Sequence, residues 1–411
     1  MSNYLGGDTA ISRQKTSTFA KLIERAGRSL LPVDVAGSLT IIFPNGQCTH
    51  LGQANAHPHA VLKLNSYKVI RRAIQRASIG FAESYIAGEI DTPDPVALIR
   101  FFIENRIRMM ASSKVRALFK VRASDKFWHR TRRNSPARSK DNIEAHYDLG
   151  NDFYKAWLDK SMTYSSALFA EQTQSLHEAQ AKKYQTVYDA LGIQGSGKIL
   201  EIGCGWGGFA EHVAANSKAH VTGITLSKEQ LVFARNRIGR ERAKFQLLDY
   251  RLTQGQYDAI ASIEMIEAVG QEHWAEYFNI LHDRLKPGAS AVIQAITIAD
   301  SQFESYRHNV DFIQRYIFPG GMLPSKTVLT SQAAQVGLEF ETCIEFGADY
   351  ARTLAIWRNQ FNANWHEISA LGFDERFYRM WNYYLAYCEA GFAAGVIDVG
   401  IYKLTRPMEN A

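Results

Sequence analysis

Between Lys198 and Ile298, short β-rich apolar runs alternate with helical stretches, and the first of these runs ends in a glycine-dense loop. Those two observations predict an α/β fold built on a parallel, doubly wound sheet, because such alternation builds strand–helix–strand crossovers. A third observation, the different rhythm of the first hundred residues, predicts a small N-terminal α+β domain ahead of it.

The elements follow in order. Phe19, Leu22, Ile23 and Ala26 are spaced as one helical face, which predicts a helix near 17–29. Ser38 to Phe43 is β-rich and runs into Pro44-Asn45-Gly46, a hairpin signal. A strand over Ala60 to Leu64 and a helix over Tyr67 to Ala77 follow, then helix up to Arg106 with a break at Asp91-Thr92-Pro93-Asp94-Pro95. Strands are expected at Lys198–Ile202, Ala219–Ile224, Phe245–Leu248, Tyr257–Ile263 and Ala289–Ile298, and helices at Lys228–Arg237 and Trp274–Leu285. The chain divides into an N-terminal α+β domain (1–105), a basic connecting segment (106–140) and an α/β domain (141–411). No internal repeat is visible.

Composition narrows the class. With 411 residues, 46% hydrophobic and 21% charged, the chain is globular in composition rather than disordered or fibrous. Cys48, Cys204, Cys343 and Cys388 are far apart and form no CxxC pair, so neither a disulfide framework nor a zinc site is expected and no metal is assigned. The first residues lack a basic stretch followed by an apolar one, as a signal peptide would show. The most apolar window, Leu385 to Tyr402, is interrupted by Glu389 and Asp398. A cytoplasmic protein, soluble or peripheral to a membrane, is therefore expected.

Glu201-Ile202-Gly203-Cys204-Gly205-Trp206-Gly207-Gly208 closes the first strand of the α/β domain and opens a helix. Glycines there let the backbone turn sharply and come close to a ligand facing the helix N-terminus. Glu201 before the loop suits a sulfonium ligand and so favours S-adenosylmethionine over a dinucleotide. Asp249, Tyr250 and Arg251 after the third strand can bond and stack an adenine. The second strand ends Thr225-Leu226-Ser227 without the usual ribose-gripping acid, which leaves Thr225 and Gln230 for that role. The α/β domain thus reads as a class I, Rossmann-like methyltransferase sheet. Cys204 reads as a small space-filler.

Five ordered motifs resemble one family. They are Ala145 to Tyr154 with Met162 to Ala167, Gly223 to Gln230, Glu264 to Gly270, Tyr316 to Ser325, and Phe346 to Leu354. Together they are similar to the catalytic domain of the cyclopropane-fatty-acyl-phospholipid synthases and mycolic acid cyclopropane synthases, over roughly 141–405. The resemblance implies methyl transfer from S-adenosylmethionine to the cis double bond of an unsaturated phospholipid acyl chain, forming a cyclopropane. It implies that Tyr164, Ser165, Gly203, Gly205, Thr225, Leu226, Gln230 and Tyr250 touch the cofactor. It further implies a bicarbonate base at Ser166, Glu267, Gln294, Ile296 and Tyr350, where Ser166 stands for the family's Cys and Gln294 for its His. A homodimer, common in the longer branch of the family, is left open.

The chemistry leaves further choices open. Methyl addition to an alkene creates a carbocation, and the base beside it decides the product. Loss of a proton from the new methyl closes a ring; loss from a chain carbon gives a methyl- or methylene-branched alkene. Glu267, with Tyr350, positions that base or is itself the base. A catalytically silent lipid- or cofactor-binding protein is the alternative of another class. His146 precedes the cofactor motif and is either an active-site or a structural histidine. Phe377, Trp381, Tyr384, Cys388 and Phe392 share one helical face, either core or the wall of an acyl tunnel.

The net charge of +6 is uneven. Thirteen Lys and Arg between Arg100 and Lys140 face only Glu104 and Asp125, a local +11 that leaves −5 on the rest. No zinc-finger or RNP-like signature accompanies it, so nucleic acid is not the expected partner. An anionic membrane surface fits better, at about 1 kcal/mol per basic residue, with Phe119, Phe127 and Trp128 seated among headgroups. A plain solvated linker is the alternative. Binding to anionic vesicles, measured by co-sedimentation, should weaken with salt and on neutralising Arg130, Arg132 and Arg133; binding indifferent to both makes the segment a linker only.

Overall fold

The computed structural model describes residues 35–53, 56–111, 149–193, 195–239 and 241–408. The helix expected at 17–29, most of the basic segment and His146 lie outside the described residues.

In the N-terminal part, β1 (Ser38–Ile42) and β2 (Cys48–Gly52) pair antiparallel around the Pro44-Asn45-Gly46 turn, as the sequence predicts. The chain then places β3 (His59–Leu64) parallel to β1, with the two-residue β4 (Ile90–Asp91) beside it, giving the order β2-β1-β3-β4. Two helices cover this sheet, α1 (Lys68–Ile86) and α2 (Pro95–Ala111). Arg76 and Ala77 leave helical geometry and kink α1 there, where the sequence-expected helix stops. Helix α2 runs past the boundary placed at 105, so the basic segment begins inside a helix that packs on the core.

Helix α3 (Leu176–Leu191) leads into the α/β domain, started by a Ser175–Glu178 capping box and stopped by Gly192 in the left-handed region. The strands β5 (Lys198–Ile202), β6 (His220–Thr225), β7 (Ala243–Leu247), β8 (Tyr257–Ile263) and β9 (Leu285–Ile298) match the five expected. Helices α4 (Gly208–Asn216), α5 (Lys228–Arg237) and α6 (Trp274–Arg284) make the crossovers between them. The sheet has seven strands, however, in the order β10-β11-β9-β8-β5-β6-β7. The two unforeseen strands are β10 (Glu339–Glu345) and β11 (Ile397–Thr405). Strand β11 runs antiparallel to both β9 and β10, so the expected all-parallel sheet is corrected to a mixed one. This is a Rossmann-like methyltransferase fold.

Topology locates the site. The chain winds outward from β5 through β6 to β7, then crosses back to β8 on the other side of β5. At such a reversal the loops leaving the strand ends part and open a crevice. The glycine loop leaves β5 there, and Glu264 follows the end of β8.

The α1–α2 layer and the α/β domain share one core. Two more helices, α8 (Gly347–Ala363) and α9 (Glu375–Ala393), add to it, while α7 (Asp300–Arg307) packs its Phe303 in a second cluster against the sheet. Ala82, Ile86 and Ile99 pack in the same buried cluster as Tyr383, Trp381 and Phe153. Arg379 on α9 pins the junction: it donates to the carbonyls of Tyr85 (2.6 Å) and Ile90 (2.8 Å) and to Asp91 (2.6 Å), with Tyr85 stacked on its guanidinium. Removing a charged donor strands buried acceptors, at about 1–3 kcal/mol each. Arg379→Ala should therefore lower urea stability by on the order of 2–3 kcal/mol and expose the N-terminal part to early proteolysis. Unchanged stability and cleavage would show that the junction does not depend on this residue.

Candidate active site

One cavity of about 940 Å³ opens at the sheet's reversal point. It lies near the top of the roughly 300–1,000 Å³ range of small-molecule sites. The glycine loop, Thr225, Leu226, Gln230 and Tyr250 line its polar end; Phe81, Phe102, Tyr383 and Tyr387 line its apolar end.

At the polar end, Gly203, Gly205 and Gly207 all have positive φ, and Gly207 caps α4 from the left-handed region. A Cβ on Gly208 would come within 2.6 Å of the Tyr184 hydroxyl, so the close packing of α3 on α4 needs glycine there. Cys204 is buried, and a Cβ on Gly223 would meet its own at 2.9 Å, which agrees with a space-filling role. Thr225 donates to the Gln230 side chain (2.9 Å), so these two residues are held as a pair. Tyr164 bonds the Tyr384 hydroxyl (2.7 Å), and the Ser165 hydroxyl accepts from Lys183 (2.7 Å). Asp249 and Arg251 grip each other through two side-chain hydrogen bonds and do not line the cavity, so only Tyr250 of that trio reaches it.

Two buried polar atoms here lack a partner: Glu201 Oε2 and the Tyr250 hydroxyl. Burial pushes the Glu201 carboxyl up to about 8, while the charge of Lys183 pulls it down. Lys183 is itself brought down to about 7 by burial, against the charges of Glu264, Asp159 and Glu201. An acid kept protonated beside a glycine cradle fits a cationic nucleoside ligand, whose arrival favours the carboxylate.

The centre of the cavity differs from expectation. Tyr350 donates to Glu264 (2.6 Å), not to Glu267. The Ser166 backbone N–H (2.8 Å) and Gln294 Nε2 (2.7 Å) donate to the same carboxylate. Ser166 turns its hydroxyl to the Ala167 carbonyl instead. The Ile296 N–H donates to Glu267 Oε1 (2.5 Å), and Glu267 Oε2 is buried without a partner. Three of the groups assigned to bicarbonate, Gln294, the Ile296 N–H and Tyr350, are thus engaged by the protein's own carboxylates and the Ser166 hydroxyl by a carbonyl, so this donor set does not fit the ion.

Glu264 sits at φ +50, a left-handed conformation for a non-glycine residue. Such strain costs on the order of 1–3 kcal/mol and persists only where surroundings over-determine it. Here three donors do so. Burial raises the carboxyl above its ordinary range, while Tyr350, Ser166, Lys183 and Gln294 all oppose the rise. Glu267, with one donor, is pushed up to about 8 by burial and by the charge of Glu264. The two neighbouring acids have unequal donor sets, three on Glu264 and one on Glu267, which favours charge on Glu264 over charge on Glu267.

The aromatic stripe is split. Phe377 and Trp381 pack with Phe153 in the core, whereas Tyr384, Cys388 and Phe392 line the cavity. Tyr350 stacks on Phe392 at 4.4 Å. An acid pair, aromatic faces and a glycine cradle thus share one cavity.

The family described as mycolic acid cyclopropane synthetase matches residues 134–401. The chain belongs to this family. It is 37% identical to tuberculostearic acid methyltransferase UfaA1 of Mycobacterium tuberculosis, over 90% of this chain and 88% of that one. It is 33% identical to cyclopropane-fatty-acyl-phospholipid synthase of Escherichia coli, over 87% and 90%. The crystal structure of mycolic acid cyclopropane synthase CmaA1 complexed with SAH and CTAB superposes with a TM-score of 0.60 at 29% identity, covering 65% of this chain and 98% of that one. The protein is an S-adenosylmethionine-dependent methyltransferase of the cyclopropane synthase family, acting on lipid acyl chains.

Cofactor binding should carry a proton signature. Glu201, protonated below about pH 8 in the free protein, should release its proton when the sulfonium binds. Calorimetry at pH 7 in two buffers of different ionisation enthalpy should find release that fades above about pH 9 and is absent in Glu201→Gln. Equal heats in both buffers for the wild type would remove Glu201 from the cofactor site.

Proposed function

We propose that this enzyme methylates the cis double bond of an unsaturated acyl chain in a membrane phospholipid, with Glu264 as the base that resolves the resulting carbocation. The observation that carries this reading is the carboxylate held by Ser166, Gln294 and Tyr350 where the cofactor end of the cavity meets its apolar end.

S-adenosylmethionine supplies an electrophilic methyl group when bound. The glycine loop, Tyr164, Ser165, Thr225, Leu226, Gln230 and Tyr250, which line one end of the cavity with Glu201, would hold it. The apolar walls align the alkene and exclude water, and alignment of this kind accounts for roughly 7–11 kcal/mol in favourable cases. The faces of Tyr164 and Tyr350 stabilise a cation without attacking it. Glu264 then accepts the proton, and the chain gains one CH₂ overall. Tyr350 and Gln294 hold Glu264 in place; Glu267, anchored by the Ile296 N–H, keeps a second acid protonated beside it.

In this reading the base is a carboxylate fixed by three donors at the end of β8, and the proton it takes decides the product. The similarity to a tuberculostearic acid methyltransferase agrees with a methyl- or methylene-branched product. The cyclopropane is the second reading, favoured by the similarity to the Escherichia coli synthase. No helix among the described residues is long and apolar enough to cross a membrane, and the reading places the enzyme peripherally at the inner, anionic membrane face.

The test is expression in a host lacking such lipids, with labelled methionine and mass spectrometry of phospholipid acyl chains. A labelled gain of one CH₂ with the alkene retained is expected; the same gain with no alkene favours the ring. No label in the lipids would sink both. Glu264→Gln should lower turnover by at least about 10²-fold, the usual weight of a positioned base, while cofactor affinity changes little.

A further inference from the structure

The outer end of the acyl cavity is built from two helical faces. Ile99, Phe102, Ile103 and Arg106 follow the i, i+3, i+4, i+7 rule along α2, and all four line the cavity. Gln302, Ser305, Tyr306 and Asn309 have the same spacing along α7 and just beyond its end, and they also line it. One face is apolar until it reaches an arginine, and the other supplies neutral polar groups opposite. Arg106 is exposed, so this end of the cavity reaches solvent.

Arg106 is held but not neutralised. Its Nη1 donates to Gln302 Oε1 (3.1 Å) and its Nη2 to Ser305 Oγ (3.4 Å), contacts that bridge the two domains. Among the described residues no carboxylate pairs with it. Glu104, two residues away on the same helix, also lines the cavity but is paired with Arg100 at 2.9 Å. Neighbouring Arg307 is likewise paired, with Glu304. A guanidinium has five donors in a planar fork, and two neutral acceptors leave both its charge and further N–H groups available. Such a fork matches two oxygens of a phosphate.

We propose that Arg106, positioned by Gln302 and Ser305, binds the phosphodiester of the lipid whose acyl chain occupies the cavity. This rests on the acyl-chain reading above and assigns its substrate class: the anion recognised at the mouth belongs to a phospholipid headgroup. The same chemistry would suit the phosphate of a carrier-bound acyl thioester, which the test separates. An apolar passage capped by a fixed cation selects a chain bearing its negative charge at one end, and rejects the same chain without one.

The experiment measures binding, so that it does not depend on turnover. Quenching of the protein's tryptophan fluorescence is followed with three bromine-labelled acyl probes in neutral detergent micelles: a phosphatidylglycerol, a diacylglycerol of the same chains, and an acyl-coenzyme A. The wild type should bind the phosphatidylglycerol at least about 10-fold more tightly than the diacylglycerol, the scale of one charged hydrogen-bond pair. Arg106→Gln should bring that ratio within about twofold, and Arg106→Lys should restore part of it. A ratio unchanged in Arg106→Gln, no wild-type preference, or equal loss for both lipids overturns the proposal. A loss confined to the coenzyme A probe overturns the headgroup assignment in favour of a carrier phosphate. If the mass-spectrometric test fails while this ratio behaves as expected, the methylation reading falls and the phosphate site stands.

Discussion

The carboxylate of Glu264 accepts hydrogen bonds from the Ser166 N–H, the Gln294 side chain and the Tyr350 hydroxyl, and so ties three remote parts of the chain to one buried charge. The segment before α3, the strand β9 and the helix α8 all converge there. A charge buried without such partners would be neutralised or expelled. With them it stays where the sheet reverses its winding, and the backbone at Glu264 is held at a φ that glycine alone adopts easily. The cofactor cradle, the aromatic walls and the second acid are arranged around this point.

Electrostatics across the cavity follow a gradient. Burial raises the carboxyls of Glu201 and Glu267 to about 8 and also raises that of Glu264, while the buried Lys183 favours the charged forms of Glu201 and Glu264. In the proposed reaction the cationic ligand draws the proton from Glu201, while the cationic intermediate meets Glu264, the acid with the most donors. Three ionised carboxylates in this space would repel one another and bind the nascent cation as nucleophiles.

Much of this was legible in the sequence, for physical reasons. Strands β5, β6 and β8 are largely buried on both faces and read as short apolar runs, and the glycine loop announces its own turn. Strand β10 escaped because it is an edge strand whose acids at Glu339, Glu341 and Glu345 dilute the apolar signal. Strand β11 was hidden within the window Leu385 to Tyr402, where helix and strand run together with only Ala394 to Val396 between them. Glu264 stands in the same motif as Glu267, and the residue pattern points to Glu267, since the sign of a φ cannot be read from it. A signal did exist: Ser166 and Gln294 replace two ionisable types together, and neutral donors converging in a core require a charge between them.

The N-terminal part contributes no reacting group, yet α1 and α2 form one side of the acyl passage. The intermediate expected in that passage is destroyed by water, which would add to it and leave an alcohol on the lipid. Fidelity of the product is therefore a property of the seal between two packed layers as much as of the base. A loosened junction would still allow the first bond to form, and the damage would appear as hydroxylated chains rather than as a slower enzyme.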